Sequence, residues 1–83
     1  PGHMAVLRLF AQAREAAGTP SMELTGASVG DVLDAASRQL GPAFDEVLAS
    51  SKLWLNGEPT DRNATVSDAD EVAVLPPISG GDA

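Results

Sequence analysis

The hydrophobic positions at the start of the chain alternate with a period of two residues. Within residues 4–10, Leu7 and Leu9 fall on one side, and Phe10 falls on the other side with the even-numbered residues. Such alternation predicts a β-strand. It returns in residues 21–24, which predict a second strand that pairs with the first in antiparallel orientation. We place Phe10 in the core; the alternative is an exposed apolar patch that binds a partner.

One segment has clear helical spacing. Its apolar residues recur every three or four positions and form a single stripe: Val29, Val32, Leu33, Ala36 and Leu40. Ser28 is a suitable N-cap. The pair Gly41-Pro42 ends the helix, because glycine suits a left-handed cap and proline cannot continue the helix. Shorter helical pieces are predicted at residues 12–17 and 43–48.

The second half of the chain predicts three more strands. Residues 53–55 form the first, and Asn56-Gly57 is a strong hairpin signal because both residues tolerate positive φ. The return strand at 58–60 contains proline and therefore belongs at a sheet edge, and residues 71–75 form the last strand. We expect Trp54 to be a partly buried core residue. This order of elements predicts an α+β domain in which one sheet curls over one helix.

Length and composition limit the classes of function. With 83 residues the chain forms one domain, which leaves little space for a deep substrate pocket and favours a binding or carrier module over an enzyme acting alone. It contains no cysteine, and His3, its only histidine, lies in residues 1–3, which resemble a cloning remnant. Disulfides and thiol nucleophiles are therefore excluded, and zinc or haem sites are disfavoured. The chain has neither a long apolar run nor a signal peptide, which predicts a soluble cytoplasmic protein.

The net charge is −7 and is unevenly distributed. Residues 1–41 contain three arginines and four acids, which gives −1, whereas residues 42–83 contain two basic residues and eight acids, which gives −6. This distribution argues against nucleic acid and against anionic membranes as partners. Two interpretations stay open: a basic protein partner that faces the C-terminal half, or simple solubility.

The last ten residues, VLPPISGGDA, join a strand to two prolines, an apolar residue and a glycine pair. The prolines fix φ and keep the chain extended, which projects it away from the domain. The apolar residue can dock in a groove, and the glycines can pass through a narrow channel. We therefore predict a partner-binding tail of Pro76, Pro77, Ile78, Ser79 and Gly80 that delivers the Gly81 carbonyl to another protein. The alternative is an ordinary glycine-rich chain end.

Three segments resemble a known family. Residues 6–18 match a strand followed by the pattern F-A-x-x-R-E-x-x-G, residues 66–77 match the approach L-x-D-G-D-E-V-A-x-x-P-P, and residues 78–81 match an apolar-small-G-G ending. On these segments the chain resembles the ubiquitin-like β-grasp sulfur carriers, the family of the molybdopterin synthase small subunit (MoaD) and of the more distant thiamine-pathway carrier ThiS. Residues 28–40 and 53–57 fit the helix and the hairpin strand of that family.

The resemblance implies a β-grasp fold, with a mixed sheet of four to five strands on one main helix. It also implies a carrier cycle without a bound cofactor. An E1-like adenylyltransferase would use ATP to adenylate the Gly81 carboxylate, and a sulfur donor would convert it to a thiocarboxylate. The large subunit of molybdopterin synthase would then receive the tail. On this interpretation the domain provides no catalytic side chains, and Phe10 belongs to a possible partner surface.

Two departures from the family pattern affect this interpretation. Ala69 occupies a turn position that is usually glycine. Asp82-Ala83 follows the glycine pair, so the Gly81 carboxylate is blocked by a peptide bond, and we hypothesise that a peptidase removes the dipeptide. The predicted organisation is then a remnant at 1–3, a β-grasp domain at 4–77 and a flexible tail at 78–83. Alternative functions are a sulfur carrier for thiamine, cysteine or specialised-metabolite synthesis, a ubiquitin-like protein modifier, and a plain interaction domain.

Overall fold

The computed structural model describes residues 4–77, which form one five-stranded sheet and three helices. The elements are β1 (Met4–Leu9), α1 (Ala11–Ala17), β2 (Ser21–Thr25), α2 (Val29–Leu40), α3 (Pro42–Ala49), β3 (Lys52–Leu55), β4 (Glu58–Pro59) and β5 (Glu71–Leu75). The strand order is β2-β1-β5-β3-β4. Strands β1 and β5 are parallel, and the other neighbouring pairs are antiparallel. This mixed sheet with its main helix α2 confirms the expected β-grasp fold.

The core lies between one face of the sheet and the helices. Alternate residues of the two central strands point into it, including Leu7 and Leu9 from β1 and Val72 and Val74 from β5. The apolar stripe of α2 packs against them, as its spacing predicts, and Phe44 of α3 is completely buried beside it. Among residues 4–77 no polar or charged side chain is buried. Hydrophobic burial is therefore the dominant stabilising term.

The loop before β5 is hydrogen-bonded to the start of α2. The predicted N-cap is confirmed, since the Asp31 backbone N–H donates to Ser28 Oγ at 3.1 Å. The first two amides of the helix, which precede Asp31, donate to loop carbonyls: Val29 to Ala64 and Gly30 to Arg62, both at 2.9 Å. These bonds satisfy N–H groups that a helix start leaves without an intrahelical partner. The polar segment between β4 and β5 is thus fixed to the helix by its backbone.

The connection between α2 and α3 differs from the prediction. Gly41 has the expected positive φ of 90°, but its ψ of −169° lies outside the left-handed helical region. The cause is Pro42, because a proline ring excludes helical ψ at the preceding residue. Only glycine adopts this combination without strain. Gly41 consequently ends α2 and begins α3 in a single sharp bend.

The β3–β4 hairpin is joined to the start of β5 by side chains. Asn56 and Gly57 have φ values of 52° and 86°, as the dipeptide predicts for a tight hairpin turn. The Asn56 amide donates to the Asp70 carboxylate at 3.1 Å, and the Glu71 backbone N–H donates to Asn56 Oδ1 at 2.9 Å. Asp70 also accepts from the Ser67 backbone N–H at 2.8 Å. We call these contacts of Asn56 and Asp70 the Asp70 clamp.

The Asp70 clamp predicts a pH dependence of stability. The hydrogen bonds from Ser67 and from Asn56 stabilise the carboxylate and lower the pKa of Asp70 from the ordinary 3.8. A carboxyl group with a lowered folded-state pKa stabilises the fold above its unfolded-state pKa, and this stabilisation is lost as the pH falls through the folded-state value. We expect Asp70→Asn to be less stable than the parent at pH 7, with a difference that shrinks in the acid range.

Urea denaturation of both proteins at neutral and at acid pH measures this difference. Glu46→Gln is the matched control, because it removes one acidic charge at an exposed position of helix α3. A difference between Asp70→Asn and the parent that is independent of pH would contradict the prediction.

We predict that replacing Ala69 with glycine stabilises the fold. Its φ of 70° places an alanine in the left-handed region, which costs an L-residue with a Cβ about 1–2 kcal/mol. Glycine removes this cost but adds chain entropy to the unfolded state, so we expect Ala69→Gly to raise the free energy of unfolding by about 0.5–1 kcal/mol. Ala43→Gly in helix α3 should lower it by about 1 kcal/mol. A loss of stability in both variants, measured by urea denaturation, would contradict this assignment.

Candidate functional site

The sheet face opposite the core has no helix packed on it in the described part of the chain, and it contains a row of apolar side chains. Trp54 in β3 pairs with Ala73 in β5, and Leu75 lies two residues further along β5 on the same face. Phe10 follows β1 directly and lies beside them. We call this face the outer face, and Phe10, Trp54, Ala73 and Leu75 the outer patch.

Two sequence-based assignments are wrong at this point. Phe10 is 42% exposed rather than part of the core. Trp54 is half-buried, as expected, but it lies on the outer face and outside the core cluster. Alternation had already placed Phe10 opposite Leu7 and Leu9. It could not reveal which face the helices cover, because that depends on how the whole sheet packs. The alternative interpretation of Phe10, an exposed apolar patch, fits its position.

The outer patch borders two shallow depressions. The first has a volume of about 390 Å³ and lies between Phe10 and Trp54, with Arg8 and Glu71 among its lining residues. The guanidinium of Arg8 donates to the Glu71 carboxylate at 3.1 Å. Both side chains are about half exposed, so the ion pair contributes little stability, about 0–1 kcal/mol. Its geometric effect is to give the depression a charged rim.

The second depression lies where the chain leaves the sheet. It measures about 300 Å³ and is lined by Trp54, Leu75 and both prolines, together with Ser50 and Lys52. Pro76 is buried and Pro77 is exposed, so burial ends within the proline pair. The first depression also includes Trp54 and Leu75. The outer patch is therefore continuous with the start of the tail.

The structure brings together only some of the predicted site residues. Phe10, Pro76 and Pro77 lie around the same apolar surface. Ile78, Ser79, Gly80 and Gly81 are outside the described residues, so their assignments stay predictions. Trp54, Ala73 and Leu75 were not predicted as site residues, although the alternation within β3 and β5 places them opposite the core-facing residues.

The chemistry available on residues 4–77 is that of a binding surface. No group of three or more metal-ligating side chains in this range could hold a metal ion. The pKa of Asp70 is lowered by hydrogen bonds from Ser67 and Asn56 rather than shifted by burial. Lys52, the single lysine, lies beside Pro76 and Pro77 and forms no ion pair within this range. None of the described helices is long and apolar enough to span a bilayer.

Known proteins share both this sequence pattern and this fold. The chain is 41% identical over 76 residues to a molybdopterin synthase sulfur carrier subunit of Arabidopsis thaliana, an alignment covering 88% of this chain and 78% of the relative. It is 42% identical over 78 residues to the protein of the same name from Chlamydomonas reinhardtii, covering 87% and 92%.

The solution structure of small archaeal modifier protein 1 (SAMP1) from Methanosarcina acetivorans superimposes with a TM-score of 0.86 at 31% identity, covering 98% of this chain and 99% of that protein. The model of the ThiS family matches residues 7–81. It thus includes the second half of β1, the outer patch and the glycine pair. This chain belongs to the ThiS family.

Proposed function

We propose that this chain is the sulfur carrier subunit of molybdopterin synthase and that it carries sulfur as a thiocarboxylate on Gly81. The main support is the pair of relatives with that name at 41% and 42% identity over most of the chain. The family match that ends at Gly81 also supports it, because it includes the whole predicted tail up to the reacting residue and leaves out Asp82-Ala83.

The chemistry requires a free carboxylate at Gly81. Hydrolysis of the Gly81–Asp82 peptide bond by a peptidase would produce it. The carboxylate oxygen then attacks the α-phosphate of ATP in an E1-like adenylyltransferase, which releases pyrophosphate and leaves an acyl adenylate. A sulfur donor displaces AMP at the carbonyl carbon to form the thiocarboxylate. In this proposal each step uses catalytic groups that the partner enzymes provide.

The outer patch provides the docking surface in this proposal. A partner that covers it would bury Trp54 and Phe10 together, and aromatic side chains of this kind are frequent hot spots in protein interfaces. The patch is continuous with Pro76 and Pro77, so docking there would direct the tail along the partner's surface. We propose the synthase large subunit and the activating enzyme as the two partners.

A second candidate function is protein modification. It is favoured by the similarity to SAMP1, which is named a small archaeal modifier protein. The acyl adenylate of Gly81 would then react with a lysine of a target and form an isopeptide bond. Conjugates of higher mass that resist reducing agents would support this function, whereas a thiocarboxylate without conjugates would favour the carrier. Transfer to a thiamine, cysteine or specialised-metabolite pathway is the remaining alternative, and co-purification with a synthase large subunit would separate it from our proposal.

The proposed carrier function predicts a change of mass at Gly81. A chain that ends at Gly81, incubated with ATP, sulfide and the cognate activating enzyme, should gain the mass expected when one carboxylate oxygen is replaced by sulfur. The full chain that retains Asp82-Ala83 should gain nothing, because its Gly81 carbonyl belongs to a peptide bond. Intact-mass spectrometry measures both.

A Gly81-terminated chain that fails to gain sulfur would contradict the carrier proposal. A full chain that never loses Asp82-Ala83 in its native cell would contradict Gly81 as the sulfur site. The mass measurement on protein from the native cell needs no activating enzyme, so it tests the removal of Asp82-Ala83 independently.

The proposed docking surface predicts that a substitution in the outer patch weakens binding to the large subunit. Trp54→Ala should weaken binding to the large subunit by about tenfold or more, because a central aromatic residue typically contributes at least 2 kcal/mol to an interface. Stability should change little, since Trp54 lies outside the core cluster. Met4→Ala is the matched control: Met4 is 44% exposed and lies at the distant end of β1. Equal affinities of both variants and the parent, measured by isothermal titration calorimetry, would exclude the outer patch as the docking surface.

A further inference from the structure

The turn between β3 and β4 contains the dipeptide Asn56-Gly57, which has a chemical reactivity separate from its role in the hairpin. In such a dipeptide the glycine nitrogen can attack the asparagine side-chain carbonyl with little hindrance, because glycine has no side chain. Both residues are exposed. Nothing lies within 4 Å of the position that a Cβ on Gly57 would occupy. Surrounding atoms therefore do not protect this dipeptide by steric shielding.

Hydrogen bonds restrain the reactive group instead. The Asn56 amide nitrogen donates to Asp70 Oδ1 at 3.1 Å, and the amide oxygen accepts from the Glu71 backbone N–H at 2.9 Å. Both ends of the carboxamide are thus held toward residues 70–71. The Asp70 carboxylate is itself fixed by the Ser67 backbone N–H at 2.8 Å. Attack by the Gly57 nitrogen requires the carboxamide to leave these partners and rotate.

We propose that Asn56 is a deamidation site whose reactivity is controlled by the Asp70 clamp. In the reaction the Gly57 nitrogen loses its proton and forms a bond to Asn56 Cγ, the Cγ–Nδ2 bond breaks, and ammonia leaves. The resulting five-membered succinimide is opened by water at either carbonyl, which gives aspartate or isoaspartate at position 56. Water is the only co-reactant, so the chain alone can undergo the change.

The product is incompatible with the clamp. A carboxylate at position 56 would present an oxygen to Asp70 Oδ1 where the amide nitrogen now lies at 3.1 Å. Two carboxylates at this separation repel each other, so the contact between the two side chains would be lost. Isoaspartate would also add one carbon to the backbone of the turn and disturb the pairing of Leu55 with Glu58. Deamidation should therefore remove the side-chain contacts between the hairpin turn and Asp70, and the release of ammonia makes the change irreversible.

The test compares deamidation rates in the full chain at near-neutral pH and physiological temperature. Peptide mapping by mass spectrometry would follow conversion at Asn56, with Asn63 as an internal reference in the same molecule. Asn63 precedes alanine, and its backbone N–H, rather than its side chain, donates a hydrogen bond to the Asp61 carboxylate. Asp70→Ala removes the acceptor of the Asn56 amide, and Glu46→Gln is the matched charge-removing control.

We expect Asn56 to deamidate about tenfold faster in Asp70→Ala than in the parent. A hydrogen bond to a charged group typically lowers the fraction of molecules in which the amide is released from its partner by about that factor. Glu46→Gln should deamidate at the parent rate. Equal rates for Asp70→Ala and the parent would overturn the proposal.

A second measurement covers the case in which Asp70→Ala unfolds. The parent in concentrated urea gives the rate of the unrestrained dipeptide. We expect the native parent to react at least tenfold more slowly than this limit. A native rate equal to the rate in urea would also overturn the proposal, because the clamp would then give no protection.

The modification lies within the surface already described. Gly57 lines the depression between Phe10 and Trp54, so deamidation would change the shape and charge of the docking face. This consequence rests on the proposed function. Asn56→Asp should bind the synthase large subunit more weakly than Asn56→Gln. The mass measurements above involve no partner, so they can fail or succeed independently of the carrier proposal.

Discussion

The central constraint in this structure is that the last strand, β5, is paired on both sides. It runs parallel to β1 and antiparallel to β3, so the final residues of the domain lie near the middle of the sheet. Successive side chains on a strand point to opposite faces. Val72 and Val74 therefore complete the core, while Ala73 and Leu75 form the centre of the outer patch. Pro76 and Pro77, which directly follow β5, are therefore positioned beside Trp54 and Leu75.

The uneven covering of the sheet follows from the same arrangement. The helices pack on the face that includes Leu7, Leu9, Val72 and Val74. In the described part of the chain, the opposite face receives no helix. On that face Phe10 is exposed and Trp54, Ala73 and Leu75 are half-buried, and an incompletely covered apolar patch of this kind is typical of a surface that another protein covers. The surface and the exit of the tail share Trp54 and Leu75, so a partner can contact both at once.

Sequence reasoning succeeded where the determining interactions are local. Ser28 was identified as an N-cap because its hydroxyl lies within reach of an amide three residues later. The turn at Asn56-Gly57 was identified because both residues adopt positive φ without large cost. Sequence reasoning was wrong at Gly41, where the proline that follows changes the cap. It was also wrong at Phe10 and Trp54, which it assigned to the core although both lie on the outer face. Short-range patterns state that two residues are on opposite faces; they do not state which face is covered.

The sequence by itself determined the order of the elements, the α+β class and the glycine-pair tail, because these depend on periodicity, capping residues and a motif read along the chain. The β-grasp fold was implied by the resemblance of three segments to a known family. The tertiary structure decided three further features: that the sheet order is β2-β1-β5-β3-β4, that Phe10 and Trp54 share an uncovered face, and that Asp70 reaches Asn56 across fourteen positions of the chain. The physical reason is the same for all three. Contacts between residues distant in sequence form only when the sheet closes and its core face is covered, and local patterns contain no information about that packing.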